Sequence, residues 1–201
     1  SDGYIANGAE PWRLPELDTL PDLRPRFATE PEGFLPYARD GKTLARPWAI
    51  PGTPGLEHRI GGIEKQHLTG NVSYDPENHE HMCELRAEKV RRIRLDLPPT
   101  EVHGDADGLA LVSWGSTWGA VRAAVDDALA AGHRVAHVHL RWLNPLPADL
   151  GDVLRRYRRV LVPELNLGQL SRVIRAEYLV DAKPVTKIQG QPFKMTEVRE
   201  A

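Results

Sequence analysis

Leu109-Ala110-Leu111-Val112-Ser113-Trp114, followed at once by Gly115-Ser116-Thr117-Trp118-Gly119, is the stretch that decides the architecture. The first six residues are a short apolar run of strand length. Gly115, Ser116 and Thr117 are turn-forming residues. Val121, Val125 and Leu129 then recur every fourth position, which is the stripe of a helix, and Gly132 closes it as a C′ glycine does. The unit is therefore strand, tight turn, helix.

The same unit repeats toward the C-terminus. Arg134 to Leu140 alternates as a strand. Pro147 opens a helix carrying Leu150, Val153, Leu154 and Tyr157. Val160 to Val162 reads as a buried strand. A helix from about Gly168 to Leu179 uses Leu170, Val173, Ile174 and Tyr178. Val185 to Gln189 reads as a last strand, and Phe193 onward starts a final helix. Strands alternating with helices over short connections predict an α/β fold: three layers, α/β/α, around a mostly parallel sheet.

Upstream the pattern changes. Nine of the 17 prolines fall between Pro11 and Pro54, and proline limits regular elements to short pieces. Trp12, Phe27, Phe34, Tyr37 and Trp48 nevertheless punctuate this segment, and aromatics carry a large burial drive. The reading is an ordered arm over residues 1–54 that packs on a larger body. Residues 55–104 hold a glycine-rich loop and then a helix at about 76–95. Asp75 is its N-cap, Pro76 its first residue, and Pro98-Pro99 its stop. The α/β domain proper is placed at 105–201.

Composition narrows the functional classes. Hydrophobic residues are 41% and charged residues 27%, which excludes wholesale disorder. The 26 basic and 28 acidic residues leave a net charge of −2, so no general nucleic-acid field exists. No apolar run is long enough for a membrane span, and no signal segment is present. Cys83 is the only cysteine, which excludes an internal disulfide and any cysteine-ligated iron–sulfur cluster. No metal site and no catalytic residue can be named. A reduced, cytoplasmic setting is expected. The start at Ser1 and the abrupt end at Glu197–Ala201 suggest a fragment or processed product.

Two loops carry candidate chemistry. Ser116 and Thr117 stand where a helix N-terminus can hold an anion, or where a hydroxyl can simply cap the helix. Glu164, Asn166 and Gln169 follow a strand and so belong to the carboxyl edge of the sheet, where open α/β folds bind ligands; a polar loop with a cap is the plainer reading. Asn144 joins them after the strand ending at Leu140. His58, His67, His79 and His81 lack zinc-site spacing and read as solvated or hydrogen-bonded. Arg86, Lys89, Arg91, Arg92 and Arg94 read as a solvated face, the Arg155–Arg159 run as a somewhat better anion candidate, and Cys83 as a structural cysteine.

Taken together the segments resemble the α subunit of 2-oxoacid:ferredoxin oxidoreductases, most closely the 2-oxoglutarate enzyme of actinobacterial type. Ser1 to Trp12 resembles the end of that subunit's pyrimidine domain. Gly55-Leu56-Glu57-His58, with Gly61 and Gly62, resembles its glycine-x-glutamate-histidine stretch, so Glu57 and His58 are family-motif residues of unknown role. Asp75 to Lys89, Leu111 to Gly119, Pro163 to Leu170 and Val185 to Phe193 resemble its later segments. The resemblance implies a transketolase C-terminal-like domain with one antiparallel strand. It implies an enzyme that decarboxylates a 2-oxoacid onto coenzyme A with thiamine diphosphate and Mg2+, passing electrons through an iron–sulfur cluster to ferredoxin. Those cofactors would be held mainly by a β subunit and none by this chain, which would serve packing and assembly. The rival expectation is a free-standing α/β module that binds an anionic metabolite at the Ser116 and Glu164 loops.

Overall fold

The computed structural model describes residues 16–22 and 24–201. The expected Ser1–Trp12 motif lies outside them. The described residues form two compact units, one ending at Ile93 and the other beginning at Arg94.

In the first unit, α1 spans Pro76–Arg92, with a 3-10 turn at Ile93–Leu95 following it. Its start is as expected: the Asp75 carboxylate accepts the Glu77 N–H, and Pro76 costs no hydrogen bond at a position whose donor would be an orphan. Among the described residues before α1 there is no extended strand, only isolated bridges at Phe27↔Trp48, Tyr37↔Leu68 and Lys65↔Val72. The proline-rich segment is tied to α1 by Arg92, which donates to the carbonyls of Gly41 and Lys42. Leu44, Leu56 and Met82 are the buried large apolar side chains among the described residues of this unit.

In the second unit, the elements are β1 (Val102–Gly104), β2 (Leu109–Trp114), α2 (Trp118–Ala130), β3 (Val135–Leu140), α3 (Leu150–Leu154), β4 (Arg159–Glu164), α4 (Gln169–Tyr178), β5 (Ala182–Thr186) and α5 (Met195–Arg199). The sheet order is β1-β3-β2-β4-β5. β2, β3, β4 and β5 are parallel, and β1 is an antiparallel edge strand on β3. This is the mostly parallel three-layer sheet with one antiparallel strand that the sequence and its resemblance led one to expect.

β1 is not among the elements read from the sequence, and two of the later elements are displaced or shortened relative to that reading. The last strand is 182–186, not 185–189. Pro184 sits inside it, which an edge strand tolerates because one row of its N–H groups faces no neighbour. The helix opened by Pro147 is only Leu150–Leu154, and the chain has turned into β4 by Arg159.

Strand parity explains the layers. Ala110, Val112, Val160 and Val162 face one side with Leu150, Leu154, Leu170 and Ile174, so α3 and α4 cover that face. Leu111, Val135 and Leu161 face the other with Val121, Val125, Phe193 and Val198, so α2 and α5 cover it. Ser113, His137 and His139 share parity with the second set, and Glu164 with the first.

Candidate functional site

After β2 the chain moves to β3 on one side, and it then returns to β4 on the other side of β2. The boundary between β2 and β4 is therefore the topological switch point, where open α/β sheets form a crevice at their carboxyl ends. β2 pairs with β3 over its full length up to Trp114↔Leu140, whereas its pairing with β4 ends at Leu111↔Leu161. The last three residues of β4 pair only with β5. The loops that flank this opening carry Ser116 and Thr117 on one side and Asn166 on the other, with Glu164 closing β4. Asn144 lies in the loop after β3, and Gln169 begins α4. The topology thus brings the loops of all six expected residues to one sheet edge.

What each side chain does there is specific. Glu164 is fully buried, and its parity aims it at α4. One carboxylate oxygen accepts the Leu170 N–H at 2.8 Å and the other the Ser171 N–H at 3.0 Å. Asn166 Oδ1 accepts the Gly168 and Gln169 N–H groups, both at 2.9 Å. Gly168 makes that turn possible, since its φ of 82° lies in the left-handed region that glycine adopts at no steric cost. The four N–H groups from Gly168 to Ser171 are therefore all taken by side chains of the preceding loop. The positive end of the α4 dipole meets a carboxylate belonging to the protein itself.

Thr117 is buried, and its hydroxyl turns back on Trp114, donating to the carbonyl at 2.7 Å and accepting the N–H at 3.3 Å. It makes no side-chain cap on α2. Asn144 and Gln169 are exposed and Ser116 is half-buried. Around them the edge shows Trp118, Trp142 and Leu167, which are 49%, 38% and 68% exposed. The indole N–H of Trp114 is buried with no hydrogen-bond partner.

Glu57 and His58 belong to the other compact unit. Both are exposed; His58 Nδ1 lies 2.8 Å from the Leu56 carbonyl, and the ring stands edge-on to Phe34. His79 pairs with Glu64, and His67 packs edge-to-face on His81 at 4.6 Å. Cys83 lies on the same helix as His79 and Arg86. It is half-exposed, with its Sγ 2.9 Å from an Arg86 nitrogen and 3.6 Å from His79 Nε2, because helix spacing stacks residues 79, 83 and 86 on one face.

The sequence reading missed one buried polar group. Ser113 Oγ lies 2.6 Å from His137 Nε2 and 2.8 Å from His139 Nδ1. Ser113 is directly opposite His139 in the β2–β3 register, and His137 is two residues away on the same face. The His-Val-His alternation of β3 was the available signal. Burial, chiefly, pushes His137 down to about 4, and burial also lowers His139, so both rings are neutral at neutral pH. Among the described residues no carboxylate is bonded to either ring: Asp126 on α2 is held by His103 and Arg122 instead. The hydroxyl therefore joins two neutral imidazoles and forms no acid-supported nucleophile.

The donor set fits neither an iron–sulfur cluster nor a metal ion. Cys83 is a single thiol, and among the described residues no three His, Cys, Asp or Glu side chains converge. Among the described residues, too, no helix is long and apolar enough to cross a membrane.

Residues 106–198 match the family model described as pyruvate:ferredoxin oxidoreductase core domain II. Over 199 residues, 98% of this chain, the sequence is 53% identical to 2-oxoglutarate oxidoreductase subunit KorA of Mycobacterium tuberculosis, of which it covers 30%. It is 32% identical over 210 residues, 99% of this chain, to subunit alpha of 2-oxoacid:ferredoxin oxidoreductase 1 from Aeropyrum pernix, of which it covers 32%. A solved structure of the 2-oxoglutarate:ferredoxin oxidoreductase from Magnetococcus marinus, with 2-oxoglutarate, coenzyme A and succinyl-CoA bound, aligns with a TM-score of 0.77 at 33% identity. That alignment covers 87% of this chain and 31% of the other. The chain thus spans about 30% of the length of the curated relatives it matches.

Proposed function

Because the chain belongs to the family of 2-oxoacid:ferredoxin oxidoreductase α subunits, we propose that it works as one part of a thiamine diphosphate-dependent enzyme in the cytoplasm. That enzyme converts a 2-oxoacid, 2-oxoglutarate by its relatives, and coenzyme A into acyl-CoA, CO2 and reduced ferredoxin. Within it these residues serve packing and subunit assembly. The partners are a β subunit, which holds most of the thiamine diphosphate, Mg2+ and iron–sulfur cluster contacts, and the rest of the α subunit.

The observation that carries the assembly role is the occupied N-terminus of α4. An anionic metabolite bound at the start of α4 would need the N–H groups that Glu164 and Asn166 already engage. Beside the exposed Asn144 and Gln169, the same edge presents three large apolar side chains, Trp118, Trp142 and Leu167. Aromatic side chains of this kind anchor protein interfaces.

Co-expression with the β subunit, followed by size-exclusion chromatography, tests the proposal. Co-elution that is lost in Trp118→Glu or Leu167→Asp supports it. Undiminished assembly in both variants, or micromolar binding of 2-oxoglutarate by this chain alone, refutes the assembly role.

A further inference from the structure

A cavity of about 790 Å3 lies within residues 25–48, its walls including Arg26, Phe27, Arg39, Asp40, Arg46 and Trp48. That volume falls in the range of small-molecule sites. Three guanidinium groups line it, and among the described residues none forms an ion pair. Arg46 lies over the Tyr37 ring, its guanidinium carbon 4.3 Å from the centroid. The Arg39 guanidinium stands 5.9 Å from the same ring, one of its nitrogens lies 3.8 Å from the Met82 sulfur, and its Nε is buried with no hydrogen-bond partner.

A buried guanidinium N–H without an acceptor is costly, and a second cation nearby adds to the cost. Burial and then the Arg46 charge hold the Arg39 pKa below its ordinary value. Asp40, the one carboxylate on the wall, does not relieve this. Its Oδ1 accepts the Thr43 N–H and hydroxyl and the Lys42 N–H, closing its own turn. Three guanidinium groups on one wall suit a group carrying more than one negative charge, and guanidinium forks match phosphate oxygens well. Beside the cations stands an open aromatic surface. Phe27 and Trp48 meet edge to face at 6.4 Å, pinned by the Ala28 N–H to Trp48 carbonyl bond, and the indole is 59% exposed. An exposed indole is a stacking platform for a base.

We propose that this cavity binds a nucleoside diphosphate group, its phosphates on Arg39, Arg46 and Arg26 and its base on Trp48. This rests on the geometry of residues 25–48 and not on the proposed enzymatic role, and its test requires no turnover.

Titration calorimetry of the chain with ADP, pyrophosphate and adenosine separates the sources of the chemistry. Saturable ADP binding is expected. Pyrophosphate binds about tenfold more weakly and adenosine not measurably at millimolar concentration. Arg39→Gln and Arg46→Gln each weaken ADP at least about tenfold, and Trp48→Ala brings ADP down to the level of pyrophosphate. Arg46 and Trp48 are exposed, so unchanged thermal melting of those two variants shows that the fold is kept. Three outcomes overturn the proposal: no saturable ADP binding at millimolar concentration, ADP affinity unchanged in both arginine variants, or equal affinities for ADP and pyrophosphate in the unmodified chain. The last would assign the site to free phosphate.

Discussion

Removing the Glu164 carboxylate tests whether the sheet edge is organised from within. The side chain is fully buried, and each oxygen accepts one backbone N–H, at 2.8 and 3.0 Å. A hydrogen bond to a charged group contributes roughly 1.5–3 kcal/mol. In Glu164→Ala both bonds go, the Leu170 and Ser171 donors are left buried, and α4 loses a favourable charge at its N-terminus. The expected loss is about 3–5 kcal/mol. Glu164→Gln keeps the shape and one oxygen, but turns an NH2 group toward the other N–H. Its cost should be about half as large, roughly 2 kcal/mol. Domain stabilities run from about 5 to 15 kcal/mol, so Glu164→Gln stays folded throughout that range, whereas Glu164→Ala would bring a domain at its lower end close to the unfolding midpoint. Urea unfolding monitored by circular dichroism measures the loss. Amide exchange supplies a local readout: the Leu170 and Ser171 amides should exchange much faster in both variants. A Glu164→Ala protein within about 0.5 kcal/mol of the original, with those amides still protected, would refute the reasoning.

Three further outcomes follow from the packing. The folded His137 pKa lies at about 4, below its unfolded value, so between about 6.5 and 4 the unfolded chain binds a proton that the folded chain does not. Stability is thus full above about pH 6.5 and falls toward pH 4 by roughly 3 kcal/mol. His137→Gln should flatten this slope in urea titrations at pH 4.5 and 7, and an unchanged slope would count against the assignment. A Cβ at Gly151 would stand 2.6 Å from the Tyr178 ring, whereas one at Gly119 meets nothing within 4 Å. Gly151→Ala should cost about 1–3 kcal/mol and Gly119→Ala should be neutral or mildly stabilising, so equal melting temperatures for the two would contradict the packing described. Lys187, buried, bonds both oxygens of Glu197 and the Pro192 carbonyl. Lys187→Met should expose residues 190–199 to limited proteolysis without altering cleavage elsewhere, and uniform sensitivity would argue against a local latch.

The order and type of the elements in 109–199 were legible in the sequence because apolar periodicity is a local property. Burial on a sheet face repeats every second residue and burial on a helix stripe every third or fourth, so Leu109–Trp114 and the Val121, Val125 stripe announce themselves. The same logic failed at β5, where Lys183 and Pro184 break the pattern that an edge strand can do without. That Glu164 and Asn166 sit at the carboxyl edge also follows from the chain alone, since they end or follow a strand that precedes a helix.

Only the tertiary structure decided what these residues do. Glu164 points to α4 because it shares parity with Val160 and Val162. Which helix covers that face, however, depends on where the chain crosses the sheet. Ser113 meets His137 and His139 through a strand register spanning 24 and 26 positions, which no local spacing encodes. Arg26, Arg39 and Arg46 share a cavity because turns and a single bridge fold the proline-rich segment on itself. Patterns of burial are written residue by residue along the chain. Pairings between polar groups depend on distances that exist only once the chain has closed on itself.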